Sequence, residues 1–337
     1  MSKTLSHVNG FDVNSRKEFL EIPYAEPRSV VEPSFADRML IPHTEYLKQA
    51  RVILGSAERA SVTELVTDTG EVVSYDFLVI TTGSTFRGVK TKAERIEEFQ
   101  KDNKKIVNAE TLLVVGGGPV GVELAAEIVT DFPEKKVKLV HGGDRLIGFL
   151  GQKASAKTEK WLKDRGVDVI LKERINLDQL SPPDYVTASL KPVKADAHFL
   201  AVGKKLGSDW LQASPFLKHR VTTEGRLRME PTTQVAWLKN VFAAGDITDF
   251  KEIKQGFTAT NQAKIVIQNI RKLIKNPEET KLSVYKPLEK PMGIVTLGRV
   301  DAVAQLPFLT IIGWVPGLLK SKDLFVGKVR QDLGLKY

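Results

Sequence analysis

A chain of 337 residues is long for one domain and points to two or three, and 42% hydrophobic with 27% charged residues is ordinary for a soluble protein with proper cores. It contains no cysteine, which excludes disulfides, thiolate metal sites and any chemistry that cycles a protein dithiol. The net charge of +9 is uneven, since residues 281–337 hold nine Lys/Arg against four Asp/Glu. Such a basic tail is either a solvated face or an attraction to an anionic surface.

Residues 1–10 have no apolar core, so no secretory signal is expected. Ser2 stands where a myristoylated chain has glycine. The most apolar run, 302–319, is broken by Pro307, Gly313, Pro316 and Gly317, which argues against a spanning helix. The expectation is a cytoplasmic protein, or one held peripherally on an intracellular membrane.

Taken in order, residues 1–14 show no clear period, and 18–36 read as a Pro-interrupted, aromatic packed loop with short helices. Short β-type runs follow at 51–54, 61–67 and 72–74, and 75–83 is a buried-type strand ending in Thr81-Thr82-Gly83. A charged helix over 92–104 leads into T-L-L-V-V-G-G-G-P-V-G-V-E-L-A-A-E, residues 111–127. Here five strand-type residues run into Gly116, Gly117 and Gly118, and a helix opens at Pro119, a residue suited to a first helical position. Gly116, Gly118 and Gly121 match G-x-G-x-x-G: a tight turn, close backbone approach to a pyrophosphate, and close helix–strand packing. The helix start, with Val120, offers free N–H groups and a positive dipole end to phosphates. Beyond it the sequence predicts a strand 136–141, a helix 153–165, a strand 167–171 and a strand 196–202 closed by Gly203. A strand then delivers Gly245-Asp246, followed by a helix 257–274 and a strand-rich, basic last unit.

Three glycine signatures in this order resemble the flavoproteins with two dinucleotide-binding domains. More closely, F-L-E-I-P-Y-A-E-P-R-S-V-V-E-P-S-F-A, A-E-R-I-E-E-F-Q, T-D-F-P-E-K-K-V, N-V-F-A-A-G-D-I-T-D and K-S-K-D-L-F-V-G-K resemble the apoptosis-inducing-factor-like and ferroptosis-suppressor-type NAD(P)H:quinone oxidoreductases, in their plant-like branch. The resemblance implies an α/β fold in which a Rossmann-like NAD(P)H domain is inserted in an FAD domain. The expected boundaries are 1–105 and 205–280 for FAD, 106–204 for NAD(P)H, and 281–337 for a small α+β domain. It implies that Asp246 meets the FAD ribitol, that Thr82 and Gly83 line the flavin turn, and that the helix after Gln255 aims its N-terminus at the flavin. It also implies that Arg28 contacts FAD, that the Ser56 backbone meets the adenine edge, and that Glu123 lies by the nicotinamide. Lys320 would stabilise negative charge on reduced flavin or quinone. Without the resemblance, Asp246 is an ordinary helix-start aspartate, Glu123 a helix-surface acid and Lys320 a solvated cation.

The acid that would hold the 2′-hydroxyl of NAD is missing at the end of the second strand, where His141 stands, which leans the cofactor toward NADPH with NADH accepted. The histidines show no ligand spacing, so no metal is expected, nor is nucleic acid; the oligomeric state is open. The family's first strand–glycine-loop–helix unit, for the FAD pyrophosphate, is not seen, and Ser15 stands where the family has an acid for the adenosine ribose. Two functions are therefore expected in competition. One is hydride transfer from NAD(P)H through FAD to a quinone-type acceptor; the other is a truncated, flavin-poor NAD(P)-binding protein without catalysis. The last unit sets apolar residues beside Lys320, Lys322, Lys328 and Arg330, which predicts attraction to anionic lipid, unless these are merely a small core and its surface.

Overall fold

A computed structural model describes residues 10–14, 17–85, 91–203 and 205–336; Ser15 lies outside them, and at 10–14 and 85 only the backbone is described. The chain divides into two compact units. One comprises Met1–Lys17, Leu47–Gly88 and Lys204–Glu289, the other Glu18–Tyr46, Val89–Gly203 and Lys290–Tyr337.

In the second unit, the apolar run Thr111–Val115 is a strand buried on both faces, as parallel strands covered by helices are. It pairs in parallel with Lys136–His141 on one side and Ala197–Leu200 on the other, and Asp168–Leu171 extends the sheet beyond Lys136–His141. The helix Pro119–Asp131 crosses this sheet, burying Val122, Leu124, Ala125 and Ile128. Lys92–Asn108 starts at a capping box, in which Thr91 and Glu94 satisfy each other's backbone N–H groups. It buries Arg95, Phe99, Asp102 and Ile106 at steps of four and three, the spacing of one helical face. An antiparallel meander of Gly293–Leu297, Asp301–Gln305 and Thr310–Gly313 joins the same core, with short helices Trp314–Lys320 and Val326–Asp332.

In the first unit the structure adds what periodicity had missed: Gly10–Asn14 is a strand, parallel to Ala50–Leu54. Five residues are too few to show a period, and their extended form comes from pairing. Leu78–Ile80 pairs in parallel with Val241–Ala243. A second meander, Ala57–Ala60, Glu64–Thr67 and Val72–Ser74, and the helix Gly256–Lys275 complete the unit.

Candidate functional site

The glycine loop has the geometry its spacing predicts. Gly116 adopts φ 119°, and an added Cβ would press on the Ala201 carbonyl. A Cβ on Gly121 would fall on the carbonyl oxygen of Gly116, so the helix sits this close only because position 121 is glycine. At Gly118 the direction of a Cβ opens on free space, the opening through which a phosphate could approach the backbone. Gly118 is also the N-cap of Pro119–Asp131 and caps it with no side chain, so the N–H groups of the first turn are left to a ligand. An open glycine at an uncapped helix start fits a dinucleotide pyrophosphate. Gly203, φ 65°, turns the chain beyond Ala197–Leu200 and likewise faces open space.

His141 holds this loop from beneath. The Gly117 N–H donates to His141 Nδ1 at 3.1 Å, so the neutral ring carries its proton on Nε2. Burial pushes the imidazole pKa below its ordinary value of 6.5. The ring is thus a neutral prop for the loop.

Glu123 and Lys320, 197 positions apart, form a buried ion pair at 2.6 Å, each about 5% exposed. The Thr296 N–H and hydroxyl donate to the same Glu123 oxygen, Oε1, at 2.9 and 3.0 Å. Oε2 has no hydrogen-bond partner among the described residues. Lys320 also donates to the Ile294 carbonyl at 3.2 Å, and its ammonium lies 5.5 Å from the centre of the Tyr24 ring. Two glycines bring it there. Gly317 lets the helix Trp314–Lys320 lie against the Val300 carbonyl, and Gly298, φ 69°, lets the hairpin turn lie against Thr130. Lys320 is therefore an interior lysine and not the solvated cation of the reading made without the resemblance.

Arg28, expected against FAD, is instead paired inside the second unit. Its guanidinium donates to both Glu127 oxygens at 2.7 and 2.8 Å and to the Ser321 carbonyl at 3.1 Å, with 2% exposure. A bidentate, buried arginine has little left for another partner. Ser56 likewise has its backbone engaged: its N–H donates to the Asp68 carboxylate and its carbonyl accepts the Asp68 N–H.

In the first unit, Gly245, φ 83°, ends the strand Val241–Ala243 and places the half-buried Asp246, whose carboxylate accepts the Ser84 hydroxyl at 2.8 Å. The Gly245 N–H is held by the buried Gln262, and Arg226 donates to the Asp246 carbonyl. Thr82 is exposed, and Gly83, φ 50°, accepts from the Gly207 N–H at 2.8 Å. Gln255 is the N-cap of Gly256–Lys275 through a box with Thr258. Asp246, Ser84 and Thr82 provide the acceptors and hydroxyls that suit a polyhydroxyl chain such as ribitol. Among the described residues no group of acidic or histidine side chains is arranged to hold a metal.

Sequence reasoning missed Thr296, Tyr24 and Ser84. A polar residue inside the apolar strand G-I-V-T-L was the available signal for Thr296; Tyr24 and Ser84 offered none.

A parallel nucleotide sheet with this loop, and a unit whose strand ends in Gly-Asp, define an α/β flavoprotein reductase of the type with two dinucleotide-binding domains. The family model for pyridine nucleotide-disulphide oxidoreductases matches residues 26–263, and the chain belongs to that family, whose members are NAD(P)H-dependent flavin oxidoreductases that use FAD. It is 30% identical to apoptosis-inducing factor homolog B of Dictyostelium discoideum, over 99% of this chain and 93% of that protein. It is 29% identical to ferroptosis suppressor protein 1 of Homo sapiens, over 89% of this chain and 83% of that protein. In fold it is similar to the sulfide:quinone oxidoreductase of Aquifex aeolicus, with a TM-score of 0.76 at 16% identity, covering 96% of this chain and 85% of that one.

Proposed function

We propose that the chain is an NAD(P)H:quinone-type oxidoreductase, with Glu123 and Lys320 as the residues that serve its nicotinamide and its electron acceptor. The glycine loop at residues 116–121 would hold NAD(P)H, the hydride source, and Asp246 with Thr82 and Gly83 would hold FAD, which would supply the hydride-accepting and electron-relaying chemistry. The observation that carries the reading is the buried pair of Glu123, on the glycine-loop helix, with Lys320, at the end of the helix Trp314–Lys320. With Oε1 held by Thr296 and Lys320, the free Oε2 is an acceptor for a carboxamide N–H, and the pair keeps the carboxylate oriented. The Lys320 ammonium, neutralised by Glu123, is a fixed positive end that favours developing negative charge nearby.

The absence of cysteine supports an acceptor such as a quinone, because the chain has no dithiol to relay electrons to a disulfide. Asp246 and Thr82–Gly83 are the proposed ribitol and flavin-turn contacts. Purified protein should be yellow and oxidise NADPH with a soluble quinone. Asp246→Ala should lower flavin content, read as the ratio of visible to ultraviolet absorbance. Colourless protein that gains no activity with excess FAD would favour the non-catalytic NAD(P)-binding protein.

Peripheral contact with a lipid surface is part of the same proposal. Phe308, Leu309, Trp314, Leu318 and Leu319 are each more than half exposed, Phe308 at 89%. The Lys290 ammonium sits 3.8 Å from the Phe308 ring centre, and Lys322 is exposed nearby in sequence. Apolar tips beside cations suit the boundary between lipid headgroups and acyl chains. Among the described residues no helix is long and apolar enough to cross a membrane.

A further inference from the structure

The end of the second strand of a nucleotide-binding sheet is where the adenosine ribose is read. Here the strand Lys136–His141 ends in a histidine whose ring is turned to the Gly117 N–H and is therefore committed to the loop. The next position is Gly142, and an added Cβ there would meet the Cγ and Nε of Arg174 at 2.7 Å. The arginine side chain thus lies directly across the strand end.

Its placement is built in. The Lys172 N–H donates to the Gly143 carbonyl at 2.9 Å and the Glu173 N–H to the His141 carbonyl at 3.1 Å, lacing residues 172–174 to 141–143. Lys172 takes φ 58° to make that approach. Arg174 is exposed, and among the described residues its guanidinium has no hydrogen bond or ion pair. Two acids stand near. The Glu173 carboxylate is held by the Ser189 hydroxyl at 2.7 Å and Lys191 at 2.7 Å, while Asp144 is exposed and close enough to act on His141. The acid next to Arg174 is therefore already neutralised by a lysine, and the arginine is not drawn into an ion pair with it.

We infer that Arg174 is the residue that reads the 2′-phosphate of NADPH, giving the chain a preference for the phosphorylated dinucleotide. This rests on the reading of the glycine loop as its NAD(P)H site. An unpaired guanidinium offers a planar fork of donors that matches a phosphate, and a ribose 2′-hydroxyl cannot use both arms of it. Nothing in the periodicity of the chain pointed to position 174, which lies 33 residues past the strand end.

The test measures binding as well as turnover. Calorimetry on the parent protein with 2′,5′-ADP and with 5′-AMP should show the first binding more tightly. Arg174→Met keeps the stem that packs on Gly142 and removes the charge. It should weaken 2′,5′-ADP and NADPH by about ten- to hundredfold, the range for a lost charge-assisted hydrogen bond. Binding of 5′-AMP and NADH should stay within about twofold, and Arg174→Lys should recover part of the lost affinity. Equal weakening of both ligand pairs would reduce Arg174 to a structural prop, and no weakening of either would place the phosphate elsewhere; each overturns the inference alone. A parent protein that binds none of the four ligands overturns the NAD(P)H reading together with it.

Discussion

Glu123 and Lys320 hold each other at 2.6 Å in the interior of one unit, with Thr296 donating twice to the same carboxylate oxygen. Lys320→Met leaves the carboxylate buried without its cation and should cost about 3–5 kcal/mol of stability, measured as a shift of the urea midpoint. Glu123→Gln strands the ammonium and should cost a similar amount. The double variant should regain much of the loss, because no unpaired charge remains, yet stay slow in reducing flavin with NADPH in stopped flow. A double variant with parental flavin reduction would leave the pair a purely structural role.

Gly118 and Gly121 should separate binding from folding. Gly121→Ala drives a methyl onto the Gly116 carbonyl and should destabilise by about 1–3 kcal/mol or more, with nucleotide affinity falling as a consequence. A Cβ at Gly118 meets no protein atom within 4 Å, so in Gly118→Asp the thermal midpoint should barely move, while the negative charge faces the pyrophosphate and should abolish NADPH binding by calorimetry. Retained affinity in a folded Gly118→Asp variant would move the nucleotide away from this loop.

His141 gives the loop a pH dependence of defined sign. Its pKa is depressed in the folded protein by burial, so between that value and 6.5 the unfolded chain binds more protons than the folded one. The stability it contributes is full above about pH 6.5 and is lost as pH falls through the folded pKa, when Nδ1 gains a proton and can no longer accept from Gly117. His198 is depressed in the same direction, by burial first, so the comparison must isolate His141. His141→Gln keeps an acceptor without a titration. Its NADPH affinity should fall less between pH 7.5 and 5.5 than that of the parent, and identical pH profiles would exclude His141 as the cause.

Vesicles test the lipid contact. Co-sedimentation with anionic vesicles at low salt should exceed that with neutral ones and decline as ionic strength rises. Lys322→Glu should weaken it, as should Phe308→Ser with Leu318→Ser, while flavin content stays constant. Lys320, buried against Glu123, is unsuitable for this purpose. Equal recovery on both lipids at low salt would leave the apolar tips without a lipid role.

Much of the nucleotide half was legible from local chemistry. The turn at Gly116, the open position at Gly118, the contact at Gly121 and the opening of the helix at Pro119 depend on steric rules that act within a few residues, so the sequence states them directly. The same holds for the Gly245-Asp246 turn at the end of a buried strand. Partnerships across long separations were decided only by the tertiary structure. A buried lysine and a surface lysine are the same letter, and it took Gly317 and Gly298 closing the meander onto the nucleotide helix to place Lys320 on Glu123. Arg28 was given to a cofactor by resemblance and to Glu127 by packing, because a guanidinium taken out of water must find a carboxylate. Arg174 reaches the strand end of His141 for a similar reason: the backbone bonds that bring it there join residues some thirty positions apart, which no local pattern states.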